Sequence, residues 1–348
     1  MKYLIVSNGC GAGHAVRDLT LAEQIRKEAV KRKCSDLQII FASYGAGPRF
    51  FRAAGEDMID LKQPERPDIS ELMKELNRVI LLVRPDILIS DEVVTALRVS
   101  GKYKIPTFYL TNHLMWGEHS VLRWMCKGIV YAELSEMLPV MLRKKHDVKI
   151  VGPIVRERFS ENLQPDEELN MPPVDVSCRM IHVWLGGSCD KAAQLENIWL
   201  LNQVFNQLEG YEIYVHGDEY ERFFQKRITS GIHWVKRSST KPYREGIQIS
   251  RGGIQTLWEI ALSGGLGISV PYSGKVNPLE NTYSEYMEKR GLSSKVTYQD
   301  LRDEKLRMLV EGLSRQKSEG ADKNIQSKGQ MLIRETREAW NTWMDELM

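Results

Sequence analysis

Ser7-Asn-Gly-Cys-Gly-Ala-Gly-His14 joins a short apolar run, Tyr3–Ser7, to a helical pattern that opens at His14. Gly9, Gly11 and Gly13 let the backbone turn tightly and come close to a ligand. A merely tight turn is the other reading of such a loop. Counted from Gly9, the sixth position of a dinucleotide fingerprint is His14, and no acidic residue closes the second strand, which argues against a NAD site. A neutral imidazole at His14 can take a proton from an attacking hydroxyl, a step worth about 10²–10⁴-fold in rate. The helix N-terminus disfavours the imidazolium and so helps keep the ring a base. Asp91 directly follows the apolar run Asp86–Ser90, at the same edge of the sheet that run predicts. It can orient His14 and stabilise the protonated ring, or it can cap a helix starting near Val93. Glu92 stands second in line for the partner role.

A second constellation is Ser250-Arg-Gly-Gly-Ile-Gln-Thr-Leu-Trp-Glu259. Gly252, Gly253 and Thr256 open a helix whose free amides suit an anion such as a diphosphate, with Arg251 as a fixed positive charge. Gln255 and Glu259 are four apart and share a helix face. Glu259 can accept both hydroxyls of a ribose, or it can be a solvated helix residue. Gly186-Gly187-Ser188 follows the run Met180–Leu185, and Glu280 with Asn281 opens a helix after the loop from Pro271. Asn112–Cys126 mixes Leu114, Met115, Trp116, Trp124 and Met125 with Arg123 and Lys127. That composition suits an apolar acceptor bound near His113 and Trp116, or a helix packing its aromatics into the core. His113 and His119 show no partner.

The elements that must position these residues alternate. Apolar strands at Tyr3–Ser7, Leu37–Ala42, Met58–Leu61, Asp86–Ser90 and Thr107–Leu110 are separated by helices at His14–Lys33, Pro48–Ala54 and Ile69–Val83. The second half repeats this with strands at Met180–Leu185, Tyr211–His216, Ile232–Val235 and Leu266–Pro271 and helices at Ala192–Leu208 and Ile254–Leu262. Continuous apolar strands between helices predict parallel sheets covered on both faces, an α/β fold. At 348 residues the chain has room for two domains. The expected division is 1–152, a linker 153–172, a second domain 173–314 and a charged amphipathic helix in 315–348. Forty-eight Lys and Arg against 46 Asp and Glu argue against a protein built to coat nucleic acid. Five scattered cysteines read as reduced thiols in the cytoplasm. No stretch reaches the roughly 20 apolar residues of a membrane span. No DxD motif is present, so phosphate neutralisation falls to amides and Arg251, and neither a metal nor a further cofactor is expected.

Together these residues resemble the GT-B nucleotide-sugar glycosyltransferases, above all the lipid-linked N-acetylglucosaminyltransferases of cell-wall synthesis. Gly11-Ala-Gly-His-Ala-Val-Arg-Asp-Leu-Thr-Leu-Ala22 is similar to their GxGHxxRxLxLA opening. Val151-Gly-Pro-Ile154 is similar to the strand before their interdomain linker, and Ser250-Arg-Gly-Gly…Glu259 with Pro271 and Glu280-Asn281 to their donor motif. The resemblance implies two facing Rossmann-like domains with a cleft between them, and a C-terminal helix returning to the first. It makes His14 the base that activates an acceptor hydroxyl and Asp91 its partner. Gly187, Ser188, Arg251, Gly252, Gly253 and Thr256 would hold the diphosphate, Glu259 the ribose, and Glu280 and Asn281 the sugar of a UDP-sugar donor, with Gly13 and Gln255 also counted as donor-binding. It also implies an apolar or lipid-linked acceptor and peripheral membrane contact. Gly11–Gln24 equally resembles the nucleotide-sugar hydrolases of pseudaminic acid synthesis, in which the same histidine activates water. A third reading is a sugar-nucleotide binder without catalysis. Glu280 stands where many members carry Gln, so the donor sugar does not transfer.

Overall fold

In a computed structural model, residues 1–156, 179–186, 191–224, 231–235, 243–273, 278–318 and 321–348 are described. They form two compact units, one from Met1–Val155 and Leu332–Met348, the other from Arg156–Gly186 and Asp190–Met331.

The first unit alternates β1 (Lys2–Ser7), α1 (Gly13–Lys31), β2 (Gln38–Ser43), α2 (Gly47–Ala53), β3 (Met58–Asp60), α3 (Ile69–Val83), β4 (Ile87–Asp91), α4 (Val94–Lys102), β5 (Thr107–Thr111), α5 (Trp116–Leu122), β6 (Gly128–Tyr131) and β7 (Val148–Ile150). All seven strands are parallel, in the order β3-β2-β1-β4-β5-β6-β7. The period-two alternation of β1 shows why both faces need helices. Tyr3 and Ile5 join Leu21 and Ile25 of α1 and Phe51 of α2 in one core. Leu4 and Val6 join Leu72, Leu76 and Val79 of α3 in the other. The Asp68 side chain caps α3 by accepting from the Glu71 amide at 3.0 Å.

The second unit begins its regular structure with β8 (Met180–Trp184), α6 (Lys191–Gln207), β9 (Glu212–His216), β10 (Ile232–Val235) and β11 (Ile247–Ser250). It continues with α7 (Ile254–Leu262), β12 (Leu266–Ser269), α8 (Pro278–Lys289), β13 (Ser294–Lys295), α9 (Tyr298–Arg302), α10 (Lys305–Ser318) and α11 (Ala321–Arg334). Its strands are also parallel, in the order β10-β9-β8-β11-β12-β13. Ile181, Val183, Val215, Ile249 and Ile268 pack there against Leu200, Leu201 and Val204 of α6.

Three expectations change. The amphipathic C-terminal stretch is two helices, α11 and α12 (Arg337–Leu347), interrupted at Glu335 and Thr336. Trp343, Met344 and Leu347 of α12 complete the core of the first unit, and the Tyr3 hydroxyl donates to the Leu347 carbonyl. Val151–Ile154 is not a strand. Gly152 has φ +76°, a β-carbon there would lie 2.1 Å from Thr336 Oγ1, and Pro153 has no amide to give a ladder. Finally, β6, β7, β11 and β13 extend both sheets beyond the strands read from the sequence. Most of the expected linker lies outside the described residues.

Candidate active site

In the first sheet the strand order reverses between β1 and β4, where ligands of open parallel sheets bind. The register Ser7↔Asp91 puts the ends of these strands side by side, and α1 starts with Gly13 and His14 just beyond. His14 Nδ1 lies 3.0 Å from Asp91 Oδ2. Arg17, three residues along the same helix, donates through Nη2 to Asp91 Oδ1 and through Nε to Oδ2 at 3.3 Å. Burial opposes ionisation of Asp91, yet the charges of Arg17 and His14 outweigh it and hold the carboxyl below its usual range. An ionised carboxylate only accepts, so in the neutral ring Nδ1 carries the proton and Nε2 keeps its lone pair. Arg17 Nη2, 3.1 Å from the same nitrogen, therefore serves the carboxylate rather than the ring. Asp91 does not cap α4. The residue before that helix is Val93, and no side chain caps it.

Two groups absent from the sequence reading complete this cluster. Arg17, almost wholly buried, anchors Asp91. Asp18, fully buried, lies against Ser7 and Asp91, and burial first, then the Asp91 charge, pushes its carboxyl well above the usual range. Their signals in the sequence are position, about one turn from His14 on the same helix, and for Arg17 its match to the arginine of the GxGHxxRxLxLA opening. Glu92 sits beyond, its Oε2 3.8 Å from His14 Nε2.

In the second sheet the order reverses between β8 and β11, and Ser250 pairs with Trp184 at their ends. Gly253 is the N-cap of α7. Gly252 has φ +79°, and a β-carbon there would meet Ser284 Oγ at 2.6 Å, so only glycine fits. Gly253, Gln255 and Thr256 remain partly accessible at the helix opening. Arg251 departs from expectation. Its side chain is buried, Nη2 donates to Glu196 Oε2 at 3.1 Å and to the Tyr298 hydroxyl at 2.8 Å, and the guanidinium lies 4.0 Å over the Tyr272 ring. Burial works against ionised Glu196, but hydrogen bonds from Ser273 and Tyr298, with the Arg251 charge, keep it below its usual range. Nη2 of Arg251 is thus answered inside the unit, while its buried Nε and Nη1 have no hydrogen-bond partner among the described residues.

Glu259 departs in the same way. It is fully buried, accepts two hydrogen bonds from the Arg156 guanidinium, and accepts from the Tyr243 hydroxyl at 2.7 Å. It is neither a solvated helix residue nor an open carboxylate, because Arg156 already covers it. Gln255 shares its face, at 3.4 Å. Glu280 Oε2 accepts from the Tyr272 amide at 3.4 Å, and Asn281 Nδ2 donates to Glu285 at 2.9 Å. Gly187 and Ser188 lie outside the described residues.

On the carboxyl edge of the first sheet, α5 exposes Trp116, and Trp124 beyond it is 78 % exposed, so these aromatics are not core. The Lys145 ammonium lies 4.9 Å over the Trp116 ring. His113 is half-buried, its amide donating to Thr111 Oγ1 at 2.9 Å. His119 Nε2 lies 2.9 Å from Asp147 Oδ2, without a hydrogen bond at either ring nitrogen among the described residues.

Two doubly wound parallel sheets, each with a glycine-containing turn at its reversal point, define the GT-B fold, and the chain has it. No family model and no curated protein matches the sequence. Among solved structures, the chain is similar to a glycosyltransferase of kitacinnamycin, with 13% identity, a TM-score of 0.65, and 99% of this chain and 98% of that one covered. It is similar to MurG of Acinetobacter baumannii at 13% identity and a TM-score of 0.57, covering 99% and 98%. It is also similar to a protein described as a UDP-N-acetylglucosamine 2-epimerase from Listeria monocytogenes, at 13% identity and 0.60, covering 94% and 90%. No helix among the described residues is long and apolar enough to cross a membrane.

Proposed function

We propose that this chain is a glycosyltransferase that moves a sugar from a nucleoside diphosphate, a UDP-sugar, to a hydroxyl acceptor without a metal ion. The observation that carries the reading is the His14–Asp91 contact at 3.0 Å, with Asp91 buried and clamped by Arg17. A fixed, ionised carboxylate holds the proton on Nδ1 and stabilises the ring once Nε2 has taken a second one. Neither a structural histidine nor a binder without chemistry needs that arrangement. The donor is assigned to the second unit. The amides opening α7 at Gly252 and Gly253, with Thr256, take the diphosphate, Glu280 and Asn281 take the sugar, and Glu259 takes the ribose once Arg156 gives way. The exposed apolar residues Met115, Trp116, Val121 and Trp124 give an apolar or lipid-linked acceptor, or a membrane surface, a place to rest.

The test is nucleotide-sugar breakdown by the native protein and by His14→Ala, with and without added acceptors. The variant is expected to lose about a hundredfold or more in turnover while binding UDP as tightly as before. Full activity in His14→Ala overturns the mechanism. Breakdown that is indifferent to every acceptor assigns the chain to hydrolysis, with the same base acting on water. UDP binding without breakdown assigns it to binding alone.

A further inference from the structure

Glu92 has a backbone φ of +54°, in the left-handed region that a residue with a side chain rarely adopts. Such conformations persist where the surroundings impose them, and they concentrate at functional sites. Here the surroundings hold one carboxylate oxygen in place. Oε1 accepts from Thr111 Oγ1 at 2.8 Å and from the Asn112 amide at 3.0 Å, both at the end of β5. The other oxygen, Oε2, has no hydrogen-bond partner among the described residues and is turned toward His14 Nε2, 3.8 Å away. Asp91 occupies Nδ1 of that ring, so Nε2 is the nitrogen left for a substrate proton. Both side chains are partly accessible, 16% and 19% exposed.

Nε2 and Oε2 are too far apart to bond to each other. They are two acceptors facing one space, and they match two donors carried on neighbouring atoms. We propose that Glu92 is a catalytic residue that selects the acceptor by its second donor: the reacting hydroxyl binds His14 Nε2, and a hydroxyl on the adjacent carbon, as in a sugar or polyol, binds Glu92 Oε2. The proposal rests on the reading of His14 as base. In the step, the hydroxyl proton passes to Nε2 and the oxygen bonds to the anomeric carbon. The bond from that carbon to the diphosphate breaks, and its electron pair leaves with the nucleoside diphosphate. Glu92 faces the imidazolium that forms. A single-hydroxyl alcohol fills only half of the site and leaves one carboxylate oxygen unmatched, a ground for rejection. Water, with two O–H groups on one oxygen, fills both halves.

Propane-1,2-diol and propan-1-ol differ by the one neighbouring hydroxyl and serve as probe acceptors, with the UDP-sugar that the native protein breaks down fastest as donor. The native protein is expected to favour the diol by about tenfold or more in kcat/KM, and Glu92→Ala to bring the ratio close to one. Glu92→Gln controls for folding. The donors at Thr111 and Asn112 fix its amide oxygen in place of Oε1, so an NH2 donor replaces the acceptor Oε2. That variant is expected to keep its melting temperature and lose the preference for the diol. If the native protein only hydrolyses the donor, Glu92→Ala is expected to slow hydrolysis about tenfold. No diol preference in the native protein, or a preference or hydrolysis rate unchanged in Glu92→Ala, overturns the proposal while leaving His14 as base. Full activity in His14→Ala removes both.

Discussion

Replacing Asp91 by Asn keeps the shape of a fully buried side chain and removes its charge. Arg17, 6% exposed at its side chain, then holds a guanidinium against a group that answers it with one oxygen instead of a carboxylate. The nearest remaining anion is Glu92 Oε1, 3.9 Å away. The asparagine NH2 must also point at either Arg17 or the Nδ1 proton of His14, and both are donors. Breaking a buried ion pair from one side costs about 3–5 kcal/mol. At roughly 2–4 °C per kcal/mol for a unit of this size, the melting temperature should fall by about 6–20 °C. Asp18 limits the loss. The Asp91 charge is part of what keeps its carboxyl protonated, and without that charge Asp18 moves toward ionisation beside Arg17. The fall should therefore lie toward the low end of that range. Thermal and urea unfolding of Asp91→Asn, Arg17→Met and the double variant give the coupling. The double variant is expected to lose less than the sum of the singles by about 1–3 kcal/mol. A loss under about 1 kcal/mol in Asp91→Asn, or strict additivity, refutes the view that Asp91 is clamped by Arg17.

Asp18 carries a pH signature of its own. The unfolded chain ionises it near pH 4 and the folded protein only well above that, so native stability is intact below about pH 4 and declines as pH rises toward the folded value. Asp18→Asn should accordingly gain melting temperature relative to the native protein at pH 7 and gain little at pH 3.5; equal shifts at both refute this. Gly252→Ala places a β-carbon against Ser284 at a φ of +79° and should cost about 1–3 kcal/mol. Gly253→Ala meets nothing within 4 Å and should cost far less, so urea midpoints for the pair decide between strain and a general need for glycine. Trp343→Ala empties a fully buried site and should cost about 3–5 kcal/mol by chemical unfolding.

Strand ends were legible because apolar runs of four to six residues mark them, and both His14 and Asp91 follow such runs. Their meeting needs only the rule that ligand-facing residues gather at the carboxyl edge. Partners held by tertiary contact were not legible. Glu259 meets Arg156 from 103 positions away, and Arg251 meets Glu196 and Tyr298 from 55 and 47. A local pattern describes a helix face and says nothing of what lies across from it. The same limit hid the burial of Asp18 and the contact of Arg17 with Asp91, since spacing from His14 places both on its helix but says nothing of what covers them. Trp116 and Trp124 show the converse, since composition alone does not tell an aromatic in the core from one at the surface.

The seating of α12 on β1 has a consequence for how the protein is made. Trp343, Met344 and Leu347 belong to the same core as Tyr3 and Ile5, and the Tyr3 hydroxyl reaches the Leu347 carbonyl. During synthesis the first sheet therefore emerges early but stays open on one face until Arg337–Leu347 leaves the ribosome. The second unit lies along the chain between the two parts of the first and meets no such delay. The unit begun first is the one finished last, with apolar surface uncovered for the whole interval, which is where chaperone capture and aggregation would act on a nascent chain.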